Sequence, residues 1–132
     1  MERVVHFEIH AANPERAAKF YKEVFNWEIK KWGDMPYWMV MTGEDKDAKW
    51  PGINGGMIIR KGEAPKDNQP VNAYVCTVDV DNIDNYIKKV IKEGGKIAVP
   101  KSNVQGVGWL VYCKDTEGNI FGMMQAHNKD QM

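Results

Sequence analysis

The sequence predicts an α+β fold made of two tandem βαβββ modules, on three observations. First, His6-Phe7-Glu8-Ile9-His10 alternates polar and apolar, an amphipathic stretch follows over Pro14–Val24, and Phe25-Asn26-Trp27-Glu28-Ile29 returns to a strand-like pattern. Second, the same order recurs about half a chain later, from Tyr74-Val75-Cys76-Thr77-Val78 through Asn82–Lys92 to Gly94-Gly95-Lys96-Ile97. Third, the stretch between the two statements is polar and carries Gly62, Pro65 and Pro70, the composition of a linker. A duplicated unit of this size folds as two modules that pair to bury apolar surface, and a groove between paired modules is a natural place for a small ligand.

In the first module, Val4 to His10 has period two, so Phe7 and Ile9 face one way and His6, Glu8 and His10 the other. Asn13 is a helix N-cap, Pro14 suits the first helical position, and Glu15 complements the positive helix end. Ala17, Ala18, Phe20, Tyr21 and Val24 form an apolar stripe at helical spacing. Trp27–Trp32 and Tyr37–Met41 read as strands around a turn at Gly33-Asp34-Met35-Pro36. The charged segment Glu44–Pro51 reads as a loop, and Gly55-Gly56 leads into the strand Met57-Ile58-Ile59.

The second module opens with a strand over Ala73–Val78. Asp79 or Asp81 can cap the following helix, whose buried face is expected to carry Ile83, Tyr86, Ile87, Val90 and Ile91. Gly94-Gly95 stops that helix with left-handed geometry. Lys96–Val99, Trp109–Cys113 and Asn119–Gln125 read as strands, with Asp115-Thr116-Glu117-Gly118 turning between the last two and a frayed tail from His127. The chain is thus read as one domain over 1–132, with modules at about 1–60 and 72–127 and a linker over 61–71.

At 132 residues the chain can bury a core without metal or disulfide staples. Its 18 basic and 18 acidic side chains cancel, so no global field draws it to nucleic acid or an anionic membrane. No apolar run approaches the ~20 residues that span a bilayer, and Met1 to His6 lacks the apolar core of a signal peptide. Cys76 and Cys113 form no C-x-x-C pair and read as two buried, reduced thiols of a cytoplasmic protein. Five Trp and eight Met supply adaptable apolar surface for a pocket or an oligomer interface. Gly106-Val107-Gly108 lacks the strand-to-helix context of a nucleotide fingerprint and reads as a turn.

Asn13-Pro14-Glu15-Arg16-Ala17-Ala18-Lys19-Phe20-Tyr21, Gly55-Gly56, Val78-Asp79-Val80-Asp81, Glu93-Gly94-Gly95 and Asp115-Thr116-Glu117-Gly118-Asn119 span nearly the whole chain. In that order they resemble the vicinal oxygen chelate superfamily, which includes glyoxalase I, extradiol dioxygenases and bleomycin- and fosfomycin-resistance proteins. The resemblance implies a cup-shaped mixed sheet with the helices outside, and a homodimer. It also implies a metal ligand on each of four cup-lining strands. His6 matches the first of these positions; the others fall near Gly55-Gly56, at or next to Ala73, and on Gly122. One imidazole does not hold a catalytic divalent ion, which takes about three protein ligands plus water. A divalent metal is therefore disfavoured, and no cofactor is expected. His6, Glu8 and His10 are good ligand types on one strand face, but i and i+2 positions lie roughly 6.6 Å apart, so their side chains would have to converge strongly to share one ion.

Two functions remain in view. The first is a metal-independent small-molecule binding protein, with His6, Glu8, Trp38, Met57, Val75, Trp109 and Met124 lining the site and the glycines enlarging it. Met124 shares a face with Gly122, whereas Met123 does not. The second is a glyoxalase-like lyase or isomerase acting on a carbonyl compound, with Glu8 as general base and His6 as electrophile or solitary metal anchor. A subunit without any ligand is a third reading.

Overall fold

The computed structural model describes residues 2–44 and 49–127. The expected loop at Glu44–Pro51 falls partly, and the expected tail beyond His127 wholly, outside them. The chain divides into two compact units, Met1–Ala64 and Pro65–Met132. Each has the order strand, helix and three strands.

In the first unit, β1 (Glu8–Ala11) leads to α1 (Pro14–Phe25), followed by β2 (Glu28–Lys31), β3 (Tyr37–Met41) and β4 (Gly55–Ile59). The sheet order is β1-β4-β3-β2, with β1 and β4 parallel and the other neighbours antiparallel. Asn13 caps α1, its side chain accepting from Arg16 N at 3.1 Å, and Pro14 occupies the first turn. Asn26 ends the helix at φ 61°, a left-handed conformation that asparagine tolerates better than most residues. Ala17, Phe20, Tyr21 and Val24 are buried as the helical spacing predicts.

In the second unit, β5 (Thr77–Asp79) leads to α2 (Ile83–Lys92), β6 (Lys96–Val104), β7 (Gly108–Lys114) and β8 (Ile120–Ala126), in the sheet order β5-β8-β7-β6. Asn82, rather than Asp79 or Asp81, caps α2 by accepting from Asn85 N at 3.2 Å. It stands directly before the first helical residue, as Asn13 does in the first unit. Ile83 and Val90 are buried, but Ile91 is 54% exposed, so the buried stripe is narrower than the expected five residues. Strand β6 runs to Val104 instead of ending at Val99. It is an edge strand with register shifts on both sides of Val99, the kind of place that tolerates Pro100.

The segment that reads as a linker is held on the second unit. Asp67 accepts from Lys96 Nζ at 2.7 Å and from Lys114 Nζ at 3.4 Å, and Pro65 packs beside Gly118. Gly118, at φ +82°, turns the chain between β7 and β8. Asp115 organises that turn, its Oδ1 accepting from Glu117 N at 2.8 Å and Asn119 N at 2.9 Å. Cys113 is buried, but Cys76 is exposed, which corrects the expectation of two buried thiols. Cys76 stands directly before β5, its carbonyl accepting from Gly122 N at 2.9 Å.

Candidate functional site on the sheet face away from the helix

In the first unit, the aromatic packing identifies the two faces of the sheet. Phe7 packs on Trp27 with ring centroids 6.2 Å apart, and Trp27 stacks on Tyr21 of α1 at 5.1 Å. Phe7, and with it Ile9 and Ala11, therefore points to the helix side. Ile9 is level with Met57, and Met57 with Trp38, so these two also lie on the helix side, at 0% and 8% exposure. The expectation that Trp38 and Met57 share a face with Glu8 is corrected by this register: they belong to the core beneath the sheet.

The face away from α1 carries His6, Glu8 and His10, together with Tyr37, Met39, Gly56 and Ile58. Two hydrogen-bonded pairs stand on it. The Tyr37 hydroxyl is 3.2 Å from His6 Nε2, and His10 Nε2 is 3.3 Å from Glu8 Oε1. Gly56 lies level with Glu8 on the neighbouring strand. A Cβ built on Gly56 would collide with the hydroxyl and ring of Tyr37, so the space above this glycine is filled by the phenol. The Trp32 ring meets Tyr37 edge-on at 6.1 Å and supports it from the hairpin side. The glycine was expected to enlarge a cavity; instead it provides the seat for a tyrosine.

The second unit repeats the geometry with different side chains. Gly56 N donates to Phe7 O at 3.0 Å, and Gly122 N donates to Cys76 O at 2.9 Å. The two glycines are thus register-equivalent, and so are His6 and Val75, Glu8 and Thr77, and His10 and Asp79. Gln125 Oε1 accepts from Ile83 N of α2 at 2.9 Å, which puts Gln125 on the helix side. By alternation Met123 lies there too, fully buried, while Gly122 and Met124 lie on the opposite face as expected. Trp109 is level with Gln125 and lies under Lys101, whose Nζ is 5.0 Å from the ring and 2.8 Å from Asp84 of α2. Trp109 therefore also moves from the expected site face to the helix side. The face away from α2 presents Val75, Thr77, Leu110, Tyr112, Gly122 and Met124. The Tyr112 ring would be 3.3 Å from a Cβ on Gly122.

Of the residues singled out in the sequence, His6 and Glu8 share one module's face away from the helix, Val75 and Met124 share the equivalent face of the other, and Trp38, Met57 and Trp109 lie on the helix side. Tyr37 is the residue sequence reasoning missed. The available signal was a tyrosine opening a strand that precedes a Gly-Gly pair, but the partnership depends on the β3–β4 register.

A family model described as the Glyoxalase/Bleomycin resistance protein/Dioxygenase superfamily matches residues 3–123. A glyoxylase-like domain-containing protein of Didymella fabae is 30% identical over 128 residues, covering 92% of both chains. The protein CFP32 of Mycobacterium tuberculosis is 25% identical over 126 residues, which is 91% of this chain but 44% of that protein. The chain thus spans less than half the length of this mycobacterial relative. Among solved structures, the fosfomycin resistance protein FosX of Listeria monocytogenes has a TM-score of 0.73 at 13% identity, covering 100% of this chain and 97% of that one. A variant of the same FosX was crystallised with Mn(II) and a dihydroxypropylphosphonic acid.

A divalent ion of that kind finds a poor fit in the residues present here. His6 Nε2 is engaged by Tyr37, and Gly56 and Gly122 carry no ligating atom. Val75, the register equivalent of His6, is apolar. Among the described residues no three His, Cys, Asp or Glu side chains gather as a metal site would require. Two four-stranded mixed sheets, each with one helix, a shared strand order and matched glycines, agree with the family match over 3–123: the chain belongs to the glyoxalase, bleomycin resistance protein and dioxygenase superfamily, that is, to the vicinal oxygen chelate fold.

Proposed function

We propose that this protein binds a small organic molecule on the sheet face of its first module turned away from α1, through His6, Glu8 and Tyr37, without a divalent metal. The observation that carries this reading is the Tyr37 ring on Gly56 with its hydroxyl 3.2 Å from His6 Nε2. A phenol stands where a ligating side chain on β4 would have to project, and the one family-matched histidine already has a protein partner. The face still combines donors and acceptors with the apolar Met39 and Ile58, the mixture that small-molecule sites use. Val75 and Met124 form the apolar counterpart on the second module. A cytoplasmic homodimer completes the proposal, supported by the free thiols of Cys76 and Cys113 and by exposed Trp32, Met35 and Trp50.

Elemental analysis after incubation with excess nickel or zinc and desalting, paired with a thermal-shift screen of metabolites, tests the reading. Negligible retained metal together with a saturable shift by an organic compound is the expected outcome. One ion per chain or per dimer would overturn the metal-free part, and a screen without any stabilising compound would overturn the binding part.

A second reading is favoured by the Glu8–His10 pair at 3.3 Å, beside Tyr37 and His6 on the same face. In it the chain is a glyoxalase-like lyase or isomerase, Glu8 takes a proton from a carbon next to a carbonyl, and the neighbouring donors steady the negative charge that develops on oxygen. Glu8→Gln is then expected to lower turnover at least about a hundredfold; unchanged turnover removes Glu8 from that role.

A further inference from the structure

We propose that Tyr37, polarised by His6, donates the hydrogen bond that fixes a neutral carbonyl oxygen of the ligand; this rests on the binding reading above and adds the group that the site recognises. A neutral Tyr–His pair holds two exchangeable protons and uses one of them between its members. If Nε2 of His6 carries its proton, it donates to the Tyr37 oxygen and the phenolic proton is directed away from His6. If it does not, the phenol donates to Nε2 and the His6 Nδ1–H remains available. Either arrangement leaves one donor for a ligand oxygen.

The position of the hydroxyl makes Tyr37 the better candidate. It lies above Gly56, where β4 itself has no side chain, and Trp32 braces its ring. Gly56 is level with Glu8 on the adjacent strand, and adjacent strands are about 4.8 Å apart. The donor therefore stands next to a carboxylate that is an acceptor only and is itself bonded to His10. A second negative charge at that point would be repelled, whereas an uncharged ketone, aldehyde, ester or amide oxygen would not. A ligand that covers the pair makes the hydrogen bond discriminating, because one without the acceptor would leave the donor unsatisfied.

The test follows the His6 ring by two-dimensional NMR while the intact protein is titrated with hydroxyacetone, cyclohexanone and N-methylacetamide, and with acetate as the charged control. At least one neutral carbonyl compound is expected to shift the His6 ring signals saturably. In Tyr37→Phe, which keeps the ring on Gly56, the affinity is expected to fall about tenfold, the effect of one lost hydrogen bond. Acetate is expected to bind more weakly than the best neutral probe. Equal affinity in Tyr37→Phe, tighter binding of acetate, or no perturbation of His6 by any probe would overturn the proposal. A compound from the thermal-shift screen that stabilises wild type and Tyr37→Phe equally would remove the role of Tyr37 while leaving the binding reading in place. Failure of the screen itself would remove both. Backbone amide signals of α1 and β4 serve as the fold control for the variant.

Discussion

The two modules share a backbone plan and a helix-side core, and they differ most on the face turned away from the helix. Beneath the sheets, Met57 and Met123 are register equivalents, both fully buried, as are Val40 and Cys113. On the faces away from the helices the equivalent positions read His6, Glu8 and His10 in one module and Val75, Thr77 and Asp79 in the other. A core position must stay apolar and fill its space, so equivalent core residues remain apolar even where their size differs, as at Trp38 and Val111. A face released from that constraint can change its chemistry without changing the fold. The proposed site lies on the face that differs, and its polar groups come from the first module.

The equivalence of the two cores is best tested by its largest consequence. Met57→Ala and Met123→Ala each remove a fully buried side chain and are expected to cost about 3 kcal/mol in denaturant unfolding. A difference of more than about 2 kcal/mol between them would break the analogy, after allowance for context-dependent relaxation of the cavity.

A sharper comparison lies within one strand. A Cβ on Gly55 would run into the carbonyl oxygen and ring of Phe7, whereas a Cβ on Gly56 meets the movable end of Tyr37. Gly55→Ala should therefore destabilise by about 2–3 kcal/mol through overpacking. Gly56→Ala should cost less than about 1 kcal/mol, yet release Tyr37 from His6, visible as a change in the His6 ring signals. Equal destabilisation by the two variants would show that the Tyr37 seat is structural.

Cys113 and Cys76 provide a contrast in chemistry. Burial pushes the Cys113 thiol up to about 11, so its thiolate is scarce at pH 8, and its sulfur is also inaccessible. Alkylation by iodoacetamide is expected to modify the exposed Cys76 at least about a hundredfold faster, as read by peptide mass spectrometry under native conditions. Comparable rates would mean that the second module's core opens readily.

The smallest effect concerns Asp67, whose hydrogen bonds and charge attraction to Lys96 and Lys114 hold its carboxyl below the ordinary carboxylate range. A depressed folded-state pKa adds stability above the unfolded value near ~4, and that stability is lost as pH falls through the folded-state value. Asp67→Asn should lower Tm by about a degree at pH 7, and the difference should fade in acid below pH ~4. A penalty that persists unchanged at low pH would assign the effect to packing of the 65–70 segment instead of charge.

Much of this architecture was legible in the chain. Period-two alternation separated His6, Glu8 and His10 from Phe7 and Ile9, and Asn13-Pro14 marked the start of α1. Alternation likewise put Met124 with Gly122 and Met123 opposite. What it did not reveal is which face the helix covers, and that is why Trp38, Met57 and Trp109 were expected on the wrong side. Those aromatic and thioether side chains suit a ligand wall and a core equally well, so their type does not decide between the two.

The sequence by itself determined the duplicated strand-helix-strand pattern, the family, and the absence of side chains at Gly56 and Gly122, because periodicity, caps and residue identity are local properties. Only the tertiary structure decided that Tyr37 lies across Gly56 and meets His6, a residue 31 positions away. That contact requires β4 to pair with β1 on one side and β3 on the other in a particular register. A shift of one residue in either ladder would turn the participating side chains to the opposite face.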